Sequence, residues 1–429
     1  MRVAFLVAGQ GRSGGMGVIR AHARHLREHE GIEAVLVDVG GAGPPSPTRR
    51  TADVPVRSLV SLDGTPFDVA VATWWTTADH LWDVPATARA VLLQSPDARY
   101  YREHEAPDRL GATIVLALPV HWLVVSERLE TTVRVVAPDA RVWRVPPGID
   151  KSTFKPAPPC DGGPRSSGSA SRPVTSPVDG GPLRVLVEGQ PSLWFKAVPE
   201  AVAAVRAMSA PATVTVVAPE PAGDLGADRV AGGLGPAGMA ALYAEHDVLL
   251  KLSRFEGLGL PVLEAFHVGR PCVATPFGDL VEHGVNGLVA GFDDGPGTVA
   301  ALDRLASDPA LRARLGEGAL ATAAAWPDVH AGSAAFADAL RELAAAPSPA
   351  AEPALGRLAH ARRAWIEEER GRLARSRDAA ATWEAAYRDA DAKNAEYEAW
   401  TRELQSRIET LHRGLGFRTE ARLRRLLGR

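Results

Sequence analysis

A glycine-bearing loop that runs directly into a short helical pattern constrains this chain more than any other stretch. The loop covers residues 256–260, Glu-Gly-Leu-Gly-Leu, and Pro261 follows it. Proline suits the first turn of a helix because the N–H that it lacks would have no partner there. The sequence therefore predicts a helix start at which Gly257 and Gly259 present backbone donors. Unpaired N–H groups and the helix dipole both favour a bound anion at such a position.

A carboxylate stands at each end of this element. Glu256 lies on the loop, and Glu264 lies about one turn inside the predicted helix. Carboxylates accept hydrogen bonds from hydroxyls, while the backbone between them can hold phosphate. The pair therefore outlines a binding site for a nucleotide sugar. The alternative interpretation is an ordinary strand-to-helix turn whose glycines only permit a tight bend.

The same stretch resembles a known family. Glu256 and Glu264, with seven residues between them and Gly-Leu-Gly-Leu-Pro inside, resemble the E-x7-E signature of the family-4 retaining glycosyltransferases of the GT-B fold. Residues 269–276, Gly-Arg-Pro-Cys-Val-Ala-Thr-Pro, and residues 278–289 match the family's next strand and loop in order. The resemblance covers roughly residues 3–343. It implies transfer of a glycosyl group from a nucleoside diphosphate sugar to an acceptor hydroxyl, with retained anomeric configuration.

Length and composition agree with a large α/β enzyme. A chain of 429 residues is too long for one compact core, so two domains and an extension are expected. The 48 basic and 51 acidic residues nearly balance, which gives no electrostatic case for nucleic acid. Cys160 and Cys272 fall in unrelated segments, which predicts neither a disulfide framework nor a metal site. A reducing cytoplasm is the expected location.

Apolar runs of strand length alternate with helical patterns along most of the chain, which predicts parallel sheets with ligands at the carboxyl ends of the strands. The predicted fold class is α/β, with two Rossmann-like domains facing across a cleft (GT-B) and a C-terminal extension formed by a long helix or coiled coil. The predicted parts are an acceptor domain (1–155), a flexible linker rich in proline, glycine and serine (156–182), a nucleotide-sugar-binding domain (183–346) and a helical tail (347–429).

The first domain opens with a glycine loop that allows two interpretations. The spacing Gly9-x-Gly11-x-x-Gly14 matches a dinucleotide fingerprint, but only Asp38 stands near the position of a ribose-binding acid. The alternative is a resemblance to the family's N-terminal Gly-Gly turn, which approaches the acceptor and the donor phosphate. On that interpretation Gly15 is the predicted contact.

Two further groups of first-domain residues follow strands. Gln94 stands where many relatives carry a histidine that contacts the transferred sugar, and Asp97 follows it. Gln94 and Asp97 are therefore candidate catalytic residues together with Glu256. His104 and His121 are nearby alternatives. Trp74 and Trp75, after the third strand, are either an acceptor platform or part of the core.

In the second domain, Lys196 matches the family's lysine that grips the donor diphosphate, while Gln190 replaces the usual arginine. One cation is therefore missing unless Arg254 or another base compensates. The resemblance implies that Glu264 binds the ribose hydroxyls and that Glu256 contacts the donor sugar. Diphosphate charge is then neutralised by Lys196 and the backbone of four residues: Gly257, Leu258, Gly259 and Leu260. Neither a metal, a cofactor nor a protein nucleophile is required, because stabilising the developing charge is typically the largest catalytic term.

The two domains are joined by motifs with an architectural role. Residues 146–156 resemble the family's hinge, in which Asp150 is positioned to cap local backbone donors. Trp326 resembles the aromatic residue before the family's closing helix, which crosses back toward the first domain.

The tail carries a separate pattern. Seven residues recur at every seventh position: Ile366, Leu373, Ala380, Tyr387, Asn394, Thr401 and Ile408. A second, imperfect row includes Trp383, Ala390, Tyr397, Leu404 and Leu411. This spacing predicts a long helix that packs on a partner or on itself. The basic, amphipathic end at residues 417–429 suits an anionic membrane surface or a protein groove, so peripheral contact with the inner face of the membrane is a further expectation.

Three functions stay open on the sequence alone. The first is a glycosyltransferase acting on a carbohydrate or lipid-linked acceptor in the synthesis of a cell-surface polysaccharide or glycoconjugate. The second is a sugar-nucleotide epimerase or phosphorylase of related architecture. The third is a non-catalytic sugar-nucleotide-binding scaffold that uses its coiled coil, an interpretation favoured by the Gln94 and Gln190 departures.

Overall fold

The computed structural model describes residues 1–9, 14–40, 54–156, 181–220, 223–346 and 353–426. Nearly all of the predicted linker, residues 157–180, lies outside the described residues, as does part of the first glycine loop, residues 10–13. The chain forms two compact units, residues 1–363 and 364–429. Both predicted Rossmann-like domains fall in the first unit.

The first domain is built on a parallel sheet. In the part of the chain that the structure describes, its seven strands follow the order β3-β2-β1-β4-β5-β6-β7. The strands are β1 (Arg2–Val7), β2 (Glu33–Asp38), β3 (Val56–Ser58), β4 (Phe67–Ala72), β5 (Ala86–Leu93), β6 (His121–Val124) and β7 (Val142–Arg144). The central strands are almost fully buried, as their continuous apolar runs predict for a sheet covered on both faces.

Helices cover this sheet. They are α1 (Gly14–His29), α2 (Ala106–Val115) and α3 (Glu127–Val136). The apolar face of α1 buries Ile19, Ala23 and Leu26. The start of α3 is fixed by the Ser126 hydroxyl, which accepts a hydrogen bond from the Leu129 N–H.

The second domain repeats the design. Its sheet has the order β10-β9-β8-β11-β12-β13 among the described residues. The strands are β8 (Leu183–Glu188), β9 (Ala212–Ala218), β10 (Arg229–Gly232), β11 (Val248–Lys251), β12 (Cys272–Ala274) and β13 (Gly287–Val289), and the helices are α4 (Val198–Arg206), α5 (Pro236–Glu245), α6 (Leu260–His267), α7 (Gly295–Ser307) and α8 (Pro309–Ala325). The predicted fold class is confirmed. Because β8 and β11 are neighbours although distant in sequence, the strand order reverses between them, which is where open α/β sheets bind ligands.

The chain then returns to the first domain, as predicted. Helix α9 (Val329–Ala345) lies against the first sheet, where Phe336 stacks on His22 with ring centroids 4.3 Å apart. Just before α9, the indole N–H of Trp326 donates to the Pro147 carbonyl oxygen at 3.0 Å. A Cβ atom at Gly148 would lie 1.9 Å from the Asp328 carbonyl oxygen. Only glycine therefore allows the outgoing and returning segments to touch.

The hinge turn is closed by a side chain. Asp150 Oδ1 accepts hydrogen bonds from the N–H groups of Ser152 at 3.0 Å and Thr153 at 3.2 Å. The hydroxyls of the same two residues donate to the carboxylate as well. This is the capping role that the sequence predicts for Asp150.

The predicted long C-terminal helix is present as α10 (Pro353–Leu426). Its first turns lie in the first unit, where the buried guanidinium of Arg362 pairs with Asp79 through a 2.8 Å hydrogen bond from Nε. In the second unit, four aromatic side chains are 60% to 77% exposed: Trp383, Tyr387, Tyr397 and Trp400. The first three stand in the predicted heptad rows, and Trp400 does not. Among the described helices, none combines the length and the apolar character needed to span a membrane.

Candidate functional site

Two loops of the second domain meet at an ion pair. The loop after β8 carries Lys196, and the loop after β11 carries Glu256. Lys196 Nζ donates to Glu256 Oε1 at 2.7 Å. The pair forms because β8 and β11 are adjacent parallel strands, whose carboxyl ends open at the same edge of the sheet. The sequence-predicted diphosphate lysine and donor-sugar acid are thus brought together.

A second lysine lies beneath this pair. Lys251, the last residue of β11, is 1% exposed, and its Nζ lies 3.0 Å from Glu256 Oε1. It also donates to Glu188 Oε2 at 2.5 Å. A buried charge is tolerated only when it is paired and hydrogen-bonded, and two carboxylates meet that requirement here. Burial alone disfavours the ammonium, but the two carboxylates outweigh it and raise the pKa of Lys251.

Glu256 has a lowered pKa because of the two lysines. Burial pushes its pKa upward, but Lys251 and Lys196 outweigh burial and lower the pKa to about 2. The carboxylate is therefore negative over the physiological pH range. Sequence reasoning missed Lys251 and Glu188. The available signal was a lysine inside the apolar strand run Val-Leu-Leu-Lys-Leu of residues 248–252, and an acid at the carboxyl end of β8.

Glu264, the other acid of the motif, lies on α6 and accepts a hydrogen bond from the Tyr243 hydroxyl at 2.9 Å. Burial raises the pKa of Glu264 to about 7, and the nearby Glu188 carboxylate adds to the rise. The two acids of the motif therefore border the same Glu188–Lys251 pair but differ in charge. Near neutral pH, Glu264 carries a proton about half of the time.

The turn between the two acids requires glycine at both predicted positions. Gly259 precedes α6 with a φ of 93°, in the left-handed region that favours glycine. A Cβ atom there would also lie 2.7 Å from the Phe277 ring. The helix begins at Leu260, and its first N–H groups lie at the open end, as in any helix start.

Gln94 joins the two domains at this turn. A Cβ atom at Gly257 would lie 1.7 Å from the Gln94 carbonyl oxygen, so no larger residue fits. On the other side, a Cβ atom at Gly15 would lie 3.3 Å from Gln94 Nε2. Three predicted site residues from three separate segments are therefore in contact.

Asp97 lies deeper in the first domain. Its Oδ1 accepts a hydrogen bond from the Ser95 hydroxyl at 2.5 Å, and burial raises its pKa to about 7. Asp97 and Glu256 both line a cavity of about 150 Å³. The cavity walls are mostly apolar and come from β5, α2 and α3; they include Val91, Leu93, Ala112, Val115 and Leu129.

An aromatic contact holds the domains together beside the cavity. The rings of Tyr100 and Phe195 stack with centroids 4.1 Å apart. The Trp194 indole N–H donates to the Tyr100 carbonyl oxygen at 2.8 Å. The guanidinium of Arg99 lies 5.4 Å from the centroid of the Phe255 ring. The segment after β5 is therefore packed against both loops of the second domain.

The other candidate residues of the first domain lie in different environments. Trp74 and Trp75 both line the cavity. Trp75 is 2% exposed, and its indole N–H donates to the Tyr101 hydroxyl at 2.8 Å. His121 is buried on β6, with its ring edge-on to Trp143. His104 is exposed on the surface of the first domain.

Gln190, which replaces the usual arginine, and Arg254, the base considered as its substitute, both contact residues other than Glu256. Gln190 Oε1 accepts a hydrogen bond from the Glu220 N–H at 3.2 Å. Arg254 donates to Asp293 at 2.5 Å and to Glu200 at 3.2 Å. The additional base next to Glu256 is therefore Lys251 and not Arg254.

The fold and the order of the site elements are similar to those of glycosyltransferases of the GT-B fold. Residues 183–308 match the family described as Glycosyl transferases group 1. The chain shares the GT-B fold, and its second domain carries the sequence pattern of this glycosyltransferase family.

Curated relatives agree with this class. The chain is 29% identical over 328 residues to a D-inositol 3-phosphate glycosyltransferase of Stackebrandtia nassauensis, covering 67% of this chain and 72% of that protein. It is 34% identical over 82 residues to an N-acetyl-alpha-D-glucosaminyl L-malate synthase of Bacillus anthracis, covering 18% and 22%.

Solved structures share the fold. A sucrose-phosphate synthase from Thermosynechococcus elongatus superimposes with a TM-score of 0.63 at 16% identity, covering 80% of this chain and 99% of that one. HepE of Anabaena, solved in complex with UDP and glucose, superimposes with a TM-score of 0.62 at 17% identity, covering 80% and 100%. Because 80% of this chain is covered, the uncovered part is long enough to include much of the C-terminal extension.

Proposed function

We propose that this protein is a retaining, metal-independent hexosyltransferase of family 4. It moves a sugar from a nucleoside diphosphate sugar to an acceptor hydroxyl in the synthesis of a cell-surface polysaccharide or glycoconjugate. The observation that carries the proposal is the position of Glu256. Its carboxylate is held by Lys196 and Lys251 at the foot of the loop that opens α6, and that loop touches Gln94 of the first domain.

The donor diphosphate binds at the start of α6. The backbone donors of residues 257–260 and the positive end of the helix dipole favour its charge. Lys196 supplies a cation that is more exposed than its partner, since its side chain is 18% exposed and that of Glu256 is 9% exposed. Gly15, at the start of α1, lies next to Gln94, which in turn contacts Gly257 of this loop. A protein of the same fold, HepE, was solved with UDP-glucose, which supports a donor of this chemistry.

Glu264 binds the ribose of the donor. A carboxyl group with a pKa of about 7 both accepts and donates hydrogen bonds near neutral pH. That dual capacity suits a diol, each of whose hydroxyls also donates and accepts. Tyr243 fixes the carboxyl orientation through its 2.9 Å hydrogen bond.

The reaction requires no protein nucleophile. The bond between the anomeric carbon and the diphosphate oxygen breaks, and the acceptor hydroxyl oxygen bonds to the same carbon from the same face. The acceptor proton passes to the departing diphosphate oxygen. Lys196 and the α6 backbone stabilise the charge that develops on the diphosphate, while Glu256 and Gln94 orient the sugar.

The acceptor approaches from the first domain. The cavity beside Asp97 and Trp74 reaches Glu256 and has mostly apolar walls, so it suits the apolar part of a carbohydrate or lipid-linked acceptor. The exposed aromatic stripe of α10 gives the tail a surface for a coiled-coil or peripheral membrane partner. Such a partner would hold the enzyme near its acceptor at the cytoplasmic face of the membrane.

The test is incubation with a panel of nucleotide sugars while release of the nucleoside diphosphate is measured. We expect slow hydrolysis of one donor, lost in Glu256→Ala and kept in the control Glu317→Ala, which removes an exposed glutamate of α8. Release of nucleoside diphosphate that survives Glu256→Ala contradicts the proposed role of this acid. Donor binding without release in the wild-type chain identifies the scaffold function. A changed sugar on an intact nucleotide identifies an epimerase.

A further inference from the structure

Three histidines meet on the side of the first domain where α9 returns. His25 and His29 lie one turn apart at the C-terminal end of α1, and His330 lies in the first turn of α9. One ring nitrogen from each lies within 4.8 Å of the others. Two of them, His25 Nδ1 and His330 Nδ1, are 3.4 Å apart. Neither the sequence motifs nor the proposed transfer reaction uses this cluster.

The spacing suits a metal ion. Zinc binds imidazole nitrogen at about 2.0–2.1 Å in tetrahedral geometry, which places two ligand nitrogens about 3.3–3.4 Å apart. The measured distance between His25 and His330 equals this edge. The i, i+4 spacing of His25 and His29 places both rings on one helix face, as in helical zinc sites.

The surroundings of His25 fix the orientation and the tautomer of this ligand. Glu30 Oε1 lies 3.2 Å from His25 Nε2, so that nitrogen donates to the carboxylate and Nδ1 keeps its lone pair. Arg341 holds the other oxygen of Glu30 at 2.6 Å. The site lies between the negative C-terminal end of α1 and the positive N-terminal end of α9, so the two helix dipoles oppose each other there.

The site is accessible. The side chain of His29 is 49% exposed, and His330 is exposed too, whereas His25 is 9% exposed. A metal could therefore enter from solvent and keep a water molecule as its fourth ligand. Metal sites of this kind need an entry path and an oriented inner ligand, and this cluster offers both.

We propose that His25, His29 and His330 form a binding site for a transition-metal ion of the zinc class, which ties α1 to the start of α9. Imidazole ligands suit Zn²⁺, Co²⁺, Ni²⁺ and Cu²⁺. Because α9 starts at the residue after Asp328, which contacts Gly148, the bound metal stiffens the joint through which the chain returns to the first domain. The role is structural and independent of the transfer reaction.

The test is titration of the full-length chain, without an affinity tag and freed of metal by a chelator, with Co²⁺. We expect one equivalent to bind with the visible absorption of a tetrahedral complex, Zn²⁺ to displace it, and the melting temperature to rise. His29→Gln and His330→Gln should each weaken Co²⁺ binding by at least about 10-fold, and Glu30→Gln by about 10–100-fold. His283→Gln, which removes an exposed histidine of the second domain, should leave binding unchanged.

Two results overturn the proposal. One is Co²⁺ binding that is absent, or weaker than millimolar, in the wild-type chain. The other is binding that His29→Gln and His330→Gln leave unchanged. Because His29 is exposed, its glutamine variant is expected to fold, and circular dichroism with unchanged donor release checks this point.

Discussion

The two walls of the cleft are built on different physical principles. The second-domain wall is a network of charges in which Lys196, Lys251 and Glu256 lie within 3.0 Å of a partner. The first-domain wall is an apolar cavity beside Asp97, an acid whose pKa burial raises to about 7. A charge network holds its side chains in fixed positions. It therefore suits a ligand that is the same in every reaction cycle. An apolar cavity selects by shape, so its preference changes with single side chains.

The largest expected effect is on the charge network itself. Lys251→Met leaves Glu188 and Glu256 without their shared cation inside the protein. We expect a loss of about 3–5 kcal/mol in the free energy of unfolding, measured by urea denaturation. The double variant Lys251→Met with Glu188→Gln removes one of the stranded charges and should recover part of the loss. Equal stability of the single variant and the wild type would show that the lysine does not hold the network.

The next effect concerns the titration of Glu264. Its pKa is raised from 4.5 to about 7 in the folded chain, so its favourable contribution is full below pH 4.5 and is lost as the pH rises through 7. Glu264→Gln cannot ionise. The stability of the variant relative to wild type should therefore increase between pH 4.5 and pH 8, by at most about 3 kcal/mol. Glu317→Gln on exposed α8 should show no such trend, and a flat difference for Glu264→Gln would contradict the raised pKa.

Gly257→Ala tests whether donor turnover needs the contact between the two domains at Gly257 and Gln94. The added methyl group would meet the Gln94 carbonyl oxygen and force the two domains apart. A displacement of about 1 Å can cost about 100-fold in rate, so we expect that loss in donor turnover. Gly278→Ala is the matched control, because a Cβ atom there has nothing within 4 Å. Similar turnover in both variants would mean that the contact does not position the reacting groups.

The smallest effect should appear on the apolar wall. Ala112→Leu fills part of the cavity, and we expect acceptor-dependent transfer to fall about 10-fold or more while donor hydrolysis is unchanged. The measurement compares product formation with nucleoside diphosphate release in the absence of acceptor. A parallel fall in both rates would show that the cavity serves the donor, and the contrast between the walls would fail.

The same contrast explains what the sequence could predict. The sequence predicted the Glu256–Glu264 loop and helix start because glycine, proline and paired acids at that spacing are compatible with few other structures. Lys251 was missed because one lysine in an apolar strand has no meaning until β8 places Glu188 beside it. The contact of Gln94 with Gly15 and Gly257 depends on how two domains meet, which no local pattern encodes.

The helical tail shows a similar limit. Its heptad pattern predicted the long helix, which is confirmed. The pattern did not predict that the first turns of α10 belong to the first unit, where Arg362 pairs with Asp79. That pairing joins residues 283 positions apart in sequence, and neither residue stands in a recognisable motif.

The contact of Gly148 with Asp328 has a mechanical consequence. The polypeptide passes between the two halves of the catalytic unit twice, and the two passages lie side by side there. Two segments that lie side by side restrict sliding and twisting of the two domains more than one segment does. We therefore expect the two domains to open and close by hinge rotation about the contact of Gly148 with Asp328. Small molecules would enter and leave on the side opposite this hinge.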